Sequence, residues 1–208
     1  SSIPRTDRTR RVPHRSGWTL ETSSRPTPED FRRAMATLRG AGAIVHFAGH
    51  CDGEGTLLWV RDRSGRERAG LKASVVARVM RGAAGRGVVC VVLNACHSLG
   101  LGRLLREAGV PHVVCWEGEL GDARARAFAE TFYEALGEAG GAEDYRGAVE
   151  EAKTQLLMIK QEAFERGDKV PRERLCFLSE GGDALPGGSE DEEGWGSEAG
   201  GGAEERLD

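Results

Sequence analysis

The sequence contains no apolar run near the roughly 20 residues that a membrane-spanning helix needs. Its first residues also show no charged-then-apolar signal pattern. The formal net charge over 208 residues is only −4, so no global basic field favours nucleic acid. We therefore expect neither a membrane nor a direct nucleic-acid partner. Because the chain begins with Ser1 instead of Met, we expect a processed or excised piece of a protein.

A regular cysteine framework is also missing. The five cysteines are an odd number without regular spacing, which is a poor basis for a set of disulfides. Cys90 and Cys115 lie inside apolar, β-branched runs, where a reduced thiol packs as a small hydrophobe. This usage predicts a reducing, cytoplasmic location.

Three segments of different composition divide the chain. Residues 1–16 are rich in Arg, Ser, Thr and Pro without an apolar period, which predicts a flexible basic arm. Residues 183–208 are rich in Gly and acidic residues and hold almost no core-forming side chains, which predicts a disordered tail. Residues 17–182 carry the apolar patterns and are predicted to form the domain. The sequence contains no internal repeat.

Strands and helices alternate within this domain. The predicted strands are 17–22, 43–47, 87–94, 112–116 and 174–181, with a hairpin of 56–60 and 67–71. One predicted helix begins after the N-cap Thr27. Four more are predicted at 75–80, 99–108, 122–136 and 145–164. This order predicts an α/β fold, a three-layer α/β/α sandwich with a mainly parallel central sheet.

Two of the predicted strands end in small and reactive residues. The first reads VHFAGHCDGEG and contains His50, and the second reads VVLNACHSLG and contains Cys96. Ligands bind at the carboxyl ends of strands in open α/β sheets, so neighbouring strands would bring these two side chains together. A histidine beside a cysteine can take the thiol proton, which makes the thiolate a nucleophile. The backbone N–H groups of Cys51 and Cys96 are candidate oxyanion donors.

These motifs resemble the caspase-like peptidases of the CHAT type, which are related to caspases and separases. HFAGH precedes LNACHS by about 50 residues, as in caspases. The later stretches LREAGVPHVVCWEGELGDARARAFAETFYEAL and YRGAVEEAKTQL also resemble the family, and the similarity runs from about residue 27 to 182. Two positions depart from it: Cys51 stands where Gly usually follows the His, and His97 follows the Cys.

The resemblance implies a cysteine endopeptidase with His50 as base and Cys96 as nucleophile, acting on protein or peptide substrates without metal or cofactor. It also implies control by a trigger or a regulatory protein partner. Asp122 matches a family Asp, and we expect it either to contact substrate or to cap its helix. Trp116 is expected to be a pocket wall or a core residue, with the family favouring the pocket. The acidic residues Asp52, Glu54, Glu117, Glu119 and Asp122 favour a basic P1 side chain by charge complementarity.

Several alternatives remain open at the level of sequence. Cys96 and His50 could be a structural thiol and a loop histidine of a catalytically silent, caspase-like interaction module. His46, His50, Cys51, Cys96 and His97 could form a zinc site, although their spacing does not impose tetrahedral geometry. A nucleotide-binding domain would need a phosphate loop, and the Gly-x-Gly in SLGLGRLL lacks its fingerprint.

Overall fold

The computed structural model describes residues 10–13, 19–23, 27–38, 42–52, 57–61, 68–138, 144–169 and 172–180. The strands within these residues are β1 (Arg10–Pro13), β2 (Thr19–Thr22), β3 (Ala43–Ala48), β4 (Leu57–Arg61), β5 (Arg68–Lys72), β6 (Val88–Asn94), β7 (His112–Glu117) and β8 (Arg174–Ser179). The helices are α1 (Pro28–Thr37), α2 (Ala73–Ala84), α3 (Leu99–Glu107), α4 (Asp122–Glu138) and α5 (Tyr145–Glu165).

A four-stranded sheet in the order β3-β6-β7-β8 forms the centre of the domain. β3, β6 and β7 run parallel, and β8 pairs antiparallel with β7. The prediction of a mainly parallel sheet is therefore confirmed. β6 is buried on both sides because helices cover both faces, which explains its nearly continuous apolar run.

Helices cover the two faces of the sheet separately. On one face α1, α2 and α3 pack around Val91 and Leu93 of β6. On the other face α4 and α5 pack around Cys90 and Val92 of the same strand. Successive residues of β6 thus enter opposite cores, as strand geometry requires. The predicted α/β/α sandwich is confirmed.

The start of α1 follows the sequence prediction. The Thr27 hydroxyl accepts a hydrogen bond from the Asp30 N–H at 3.1 Å, and the Asp30 carboxylate accepts from the Thr27 N–H at 3.1 Å. This reciprocal pair is a capping box, and Pro28 occupies the first turn, where its missing N–H costs nothing.

Two antiparallel strand pairs among the described residues form sheets separate from the central one. β4 and β5 form the predicted hairpin. β1 pairs with β2, so a strand lies at 10–13 within the segment that composition predicted to be a flexible arm. The remainder of that arm and the predicted tail, 183–208, lie outside the described residues. No helix within the described residues is both long and apolar enough to span a bilayer.

Candidate active site

The ends of β3 and β6 leave the sheet side by side. Ala48 and Asn94 are paired at the last position of the two strands, and the Gly49 N–H donates to the Asn94 carbonyl at 3.2 Å. His50 and Cys96 each follow two residues after that pair. The structure therefore places both predicted residues at the same edge of the sheet.

Cys51 follows His50 directly in the segment after β3. Its thiol is buried, and burial raises its pKa to about 11, with smaller contributions from the charges of Asp52 and Cys96. At neutral pH the Cys51 thiol stays protonated and is a poor nucleophile.

The Cys96 thiol is held by the peptide groups around Leu120, in the loop between β7 and α4. The Leu120 N–H donates to Sγ at 3.2 Å, and Sγ lies 3.6 Å from the Leu120 carbonyl oxygen, to which the thiol donates. Cys96 is half-buried and lies in the turn just before α3. Among the described residues, none accepts a hydrogen bond from the Cys96 backbone N–H.

The residue after Cys96 has an unusual backbone conformation. His97 has φ of 52°, the left-handed region that residues with a Cβ seldom adopt. Its N–H donates to the Gly118 carbonyl at 2.8 Å. Backbone strain of this kind persists where surrounding contacts fix the chain, and it is common at active sites.

Ser98 attaches the same turn to the neighbouring strand. Its hydroxyl is fully buried, donates to the Leu93 carbonyl at 3.3 Å and accepts from the Trp116 N–H at 3.0 Å. The Cys96 turn is consequently bonded to both β6 and β7.

Asn94, the last residue of β6, joins three elements. Its side-chain amide donates to the Ala125 carbonyl of α4 at 2.9 Å and accepts from the Trp116 indole N–H at 3.2 Å. Its backbone carbonyl binds Gly49, as described above. Sequence reasoning did not identify Asn94, Ser98, Gly118 or Leu120 as site residues. A polar residue closing an apolar strand was the only signal for Asn94, and none pointed to Leu120.

Trp116 lies in the core in this structure. Only 1% of its surface is exposed, and its ring meets Phe128 edge-on with centroids 5.5 Å apart. The sequence-based preference for a pocket wall is therefore corrected: alternation along β7 turns Trp116 into the core beneath α4 and α5, together with Val114.

Asp122 is the first residue of α4 and is exposed. The carbonyl of Gly121 accepts the first helical hydrogen bond, from Ala125 at 3.0 Å, so Gly121 holds the cap position. The expectation that Asp122 caps the helix is corrected by one residue. At the first helical position its charge still interacts favourably with the helix N-terminus.

The other carboxylates near the site differ in their surroundings. Asp52 is half-buried next to Cys51. Glu117 is paired with Arg174 at 3.3 Å, whereas Glu119 is exposed. Glu54 lies outside the described residues.

His46 lies four residues before His50 and has a partner of its own. Its Nδ1 is 3.0 Å from the Tyr133 hydroxyl, and the two rings stack. No three His, Cys, Asp or Glu side chains in the described part of the chain are arranged to hold a metal ion. The residues of the alternative zinc site are thus not assembled into one.

Comparison with known families places this geometry in context. Residues 7–177 match the family model of the CHAT domain. The chain belongs to the CHAT domain family. This is a caspase-like family, related to caspase-like cysteine peptidases. A search of curated proteins found no match to the sequence.

Proposed function

We propose that this CHAT domain is a cysteine endopeptidase in which His50 activates the thiol of Cys96. The observation that carries the proposal is the pairing of Ala48 with Asn94. Because of this pairing, the segments that hold His50 and Cys96 leave the sheet at the same edge. The CHAT match supports the same reaction class.

The proposed reaction has two stages. The His50 imidazole takes the Cys96 proton, and Sγ attacks the peptide carbonyl to form a tetrahedral oxyanion. The backbone N–H groups of Cys96 and Cys51 stabilise that oxyanion. The carbon–nitrogen bond then breaks, and the amine leaves with the proton from His50. Water, deprotonated by His50, hydrolyses the resulting thioester and restores the free thiol.

The environment of Cys96 suits this role in one respect and restrains it in another. The Leu120 N–H stabilises negative charge on sulfur, since hydrogen bonds to ionised groups are the stronger ones. The contact with the Leu120 carbonyl suits a neutral, resting thiol. We propose that a trigger or a regulatory protein partner brings the exposed His50 side chain to the Cys96 thiol, whose turn is fixed.

For the substrate we propose a basic P1 residue. Glu119 and Asp122 are exposed carboxylates on the segment that follows β7, and Asp52 adds a third after β3. Opposite charge across a binding site favours a basic side chain over an acidic one.

The second candidate is a catalytically silent interaction module. The engagement of Cys96 with both peptide groups of Leu120 favours it, since a thiol that never left these contacts would not react.

A peptide-library cleavage profile separates the two candidates. We expect the wild-type protein to cleave after Arg or Lys, and Cys96→Ala to lose all cleavage. His46→Gln, a histidine substitution in the preceding strand β3, is the control and should retain activity. Equal cleavage by wild type and Cys96→Ala would refute the peptidase.

A further inference from the structure

A buried ion pair lies behind the loop that holds Cys96. Arg124, in the first turn of α4, pairs with Glu173, which precedes β8. Their side chains are 8% and 0% exposed. Removing one partner of such a pair leaves a buried charge uncompensated, which is strongly destabilising, so the two elements that carry the pair stay together in the folded state.

Both partners also contact the 118–121 loop. The backbone N–H of Arg124 donates to the Gly121 carbonyl at 3.1 Å. At the other end of the loop, a Cβ built on Gly118 would lie 3.3 Å from Glu173 Cα, so the two backbones are packed closely. Gly118 has φ of 89°, which only glycine adopts freely. The ion pair therefore fixes both ends of this loop.

The loop passes this restraint to the nucleophile turn by two hydrogen bonds. The Gly118 carbonyl accepts from the His97 N–H at 2.8 Å, and the Leu120 N–H donates to Cys96 Sγ at 3.2 Å. These bonds come from Gly118 and Leu120, so Arg124 and Glu173 influence Cys96 through the backbone of the loop.

We propose that Arg124 and Glu173 are positioning residues, whose ion pair sets the 118–121 loop so that the Leu120 N–H stabilises the Cys96 thiolate. This role presupposes Cys96 as the nucleophile of the proposed function. It adds a pair of residues from α4 and the segment before β8 to a site otherwise formed by β3, β6 and β7.

The test measures the reactivity of Cys96 directly, without substrate. The full chain is alkylated with iodoacetamide over a range of pH, and modification of Cys96 is followed by mass spectrometry. Cys96 is half-buried and the other four cysteines are buried, so it should react first. The other titratable groups on the segments that meet at Cys96 are His50, Cys51, Asp52, His97, Glu117, Glu119 and Asp122, and all are retained in the variants.

In Glu173→Gln we expect the midpoint of the alkylation profile to rise by about one pH unit, the size expected when a hydrogen bond to a charged group is weakened. Glu173→Asp keeps the charge but shortens the reach, and its midpoint should lie between those of wild type and Glu173→Gln. Gly118→Ala, which pushes the same contact apart, should also raise the midpoint. Glu150→Gln breaks an exposed pair with Lys153 on α5 and should leave the midpoint unchanged.

A merely structural ion pair would change stability without moving the midpoint. A folded Glu173→Gln protein with the wild-type midpoint would therefore overturn the proposal. If Glu173→Gln does not fold, an unchanged midpoint in folded Glu173→Asp would overturn the proposal instead. Because no cleavage is measured, a shifted midpoint in a chain that cuts no peptide would support the positioning role and refute only the proposed peptidase.

Discussion

The two strand ends at the candidate site are held very differently. The turn with Cys96 is bonded to β6, β7 and the loop before α4 through Asn94, His97 and Ser98. His50 is exposed, and its ring makes no hydrogen bond to any residue that the structure describes. The backbone bond from Gly49 to Asn94 attaches this segment to β6.

The difference follows from the places of the two strands in the sheet. β6 lies between β3 and β7 and is buried except at Val89, so polar groups at its end must find partners within the protein. β3 pairs with β6 on one side, and of its residues only Val45 is buried. A fixed nucleophile beside an adjustable base suits an enzyme that is switched by a partner or trigger.

The largest expected effects are losses of peptide cleavage on substitution of Cys96 or His50. Cys96→Ala should abolish peptide cleavage, and His50→Ala should lower it by about 10²- to 10⁴-fold, since general-base catalysis contributes that much. His50→Ala should change the free energy of unfolding by less than about 0.5 kcal/mol, because the side chain is exposed. Peptide cleavage rates and urea unfolding measure the two effects. A His50→Ala protein with wild-type cleavage would remove His50 from the mechanism.

Asn94→Ala tests how firmly the nucleophile end is held. The substitution removes two side-chain hydrogen bonds and leaves the buried Trp116 indole N–H without its acceptor. We expect a loss of about 2–4 kcal/mol in the free energy of unfolding, measured with urea. A loss as small as that of His50→Ala would mean that the two ends do not differ.

The pH dependence of stability tests the burial of Cys51. Its pKa rises from 9.0 to about 11 on folding, because burial disfavours the thiolate. The folded state then binds the proton more tightly, so this stabilisation is present below pH 9 and is lost as pH rises to 11. The loss should reach about 2–3 kcal/mol.

Cys90 and Tyr133 contribute in the same direction, since burial raises the pKa of each. Cys51→Ala should therefore flatten only part of the alkaline decrease, as measured by thermal unfolding between pH 8 and 11. An unchanged pH profile in Cys51→Ala would show that Cys51 ionises normally and that the segment after β3 is open to solvent.

The smallest effect concerns the strained residue of the Cys96 turn. His97→Gly relieves a left-handed conformation that costs about 1–2 kcal/mol for a residue with a Cβ. Because glycine also gains entropy in the unfolded chain, the net change should be a stabilisation of less than about 1 kcal/mol. Destabilisation by more than that, measured with urea, would show that the His97 side chain itself holds the turn.

The fold was predictable where one pattern dictates one structure. The short, continuous apolar run before Asn94 is typical of a strand that is buried on both faces. Phe128, Phe132 and Leu136 repeat at helical spacing, and all three are buried. Strand β1 was not predicted, because Arg10 and Arg11 carry no apolar alternation. Its pairing with β2 is visible only in the structure.

The candidate site was predictable only in part. The positions of His50 and Cys96 after two apolar strands could be predicted from residue type and order along the chain. The contacts of Leu120, Gly118 and Glu173 could not, because they depend on a loop backbone approaching Cys96 from another strand. The sequence left open whether Trp116 is a pocket wall or a core residue, because its burial depends on the packing of Phe128 of α4 against its ring.

Covalent labelling by a peptide with a thiol-reactive group after a basic residue tests the central claim most directly. We expect one label per chain, located at Cys96 by mass spectrometry, and labelling at least about 100-fold slower in His50→Ala but unchanged in His46→Gln. Equal labelling rates in wild type and His50→Ala, or a label on Cys51 in place of Cys96, would contradict it.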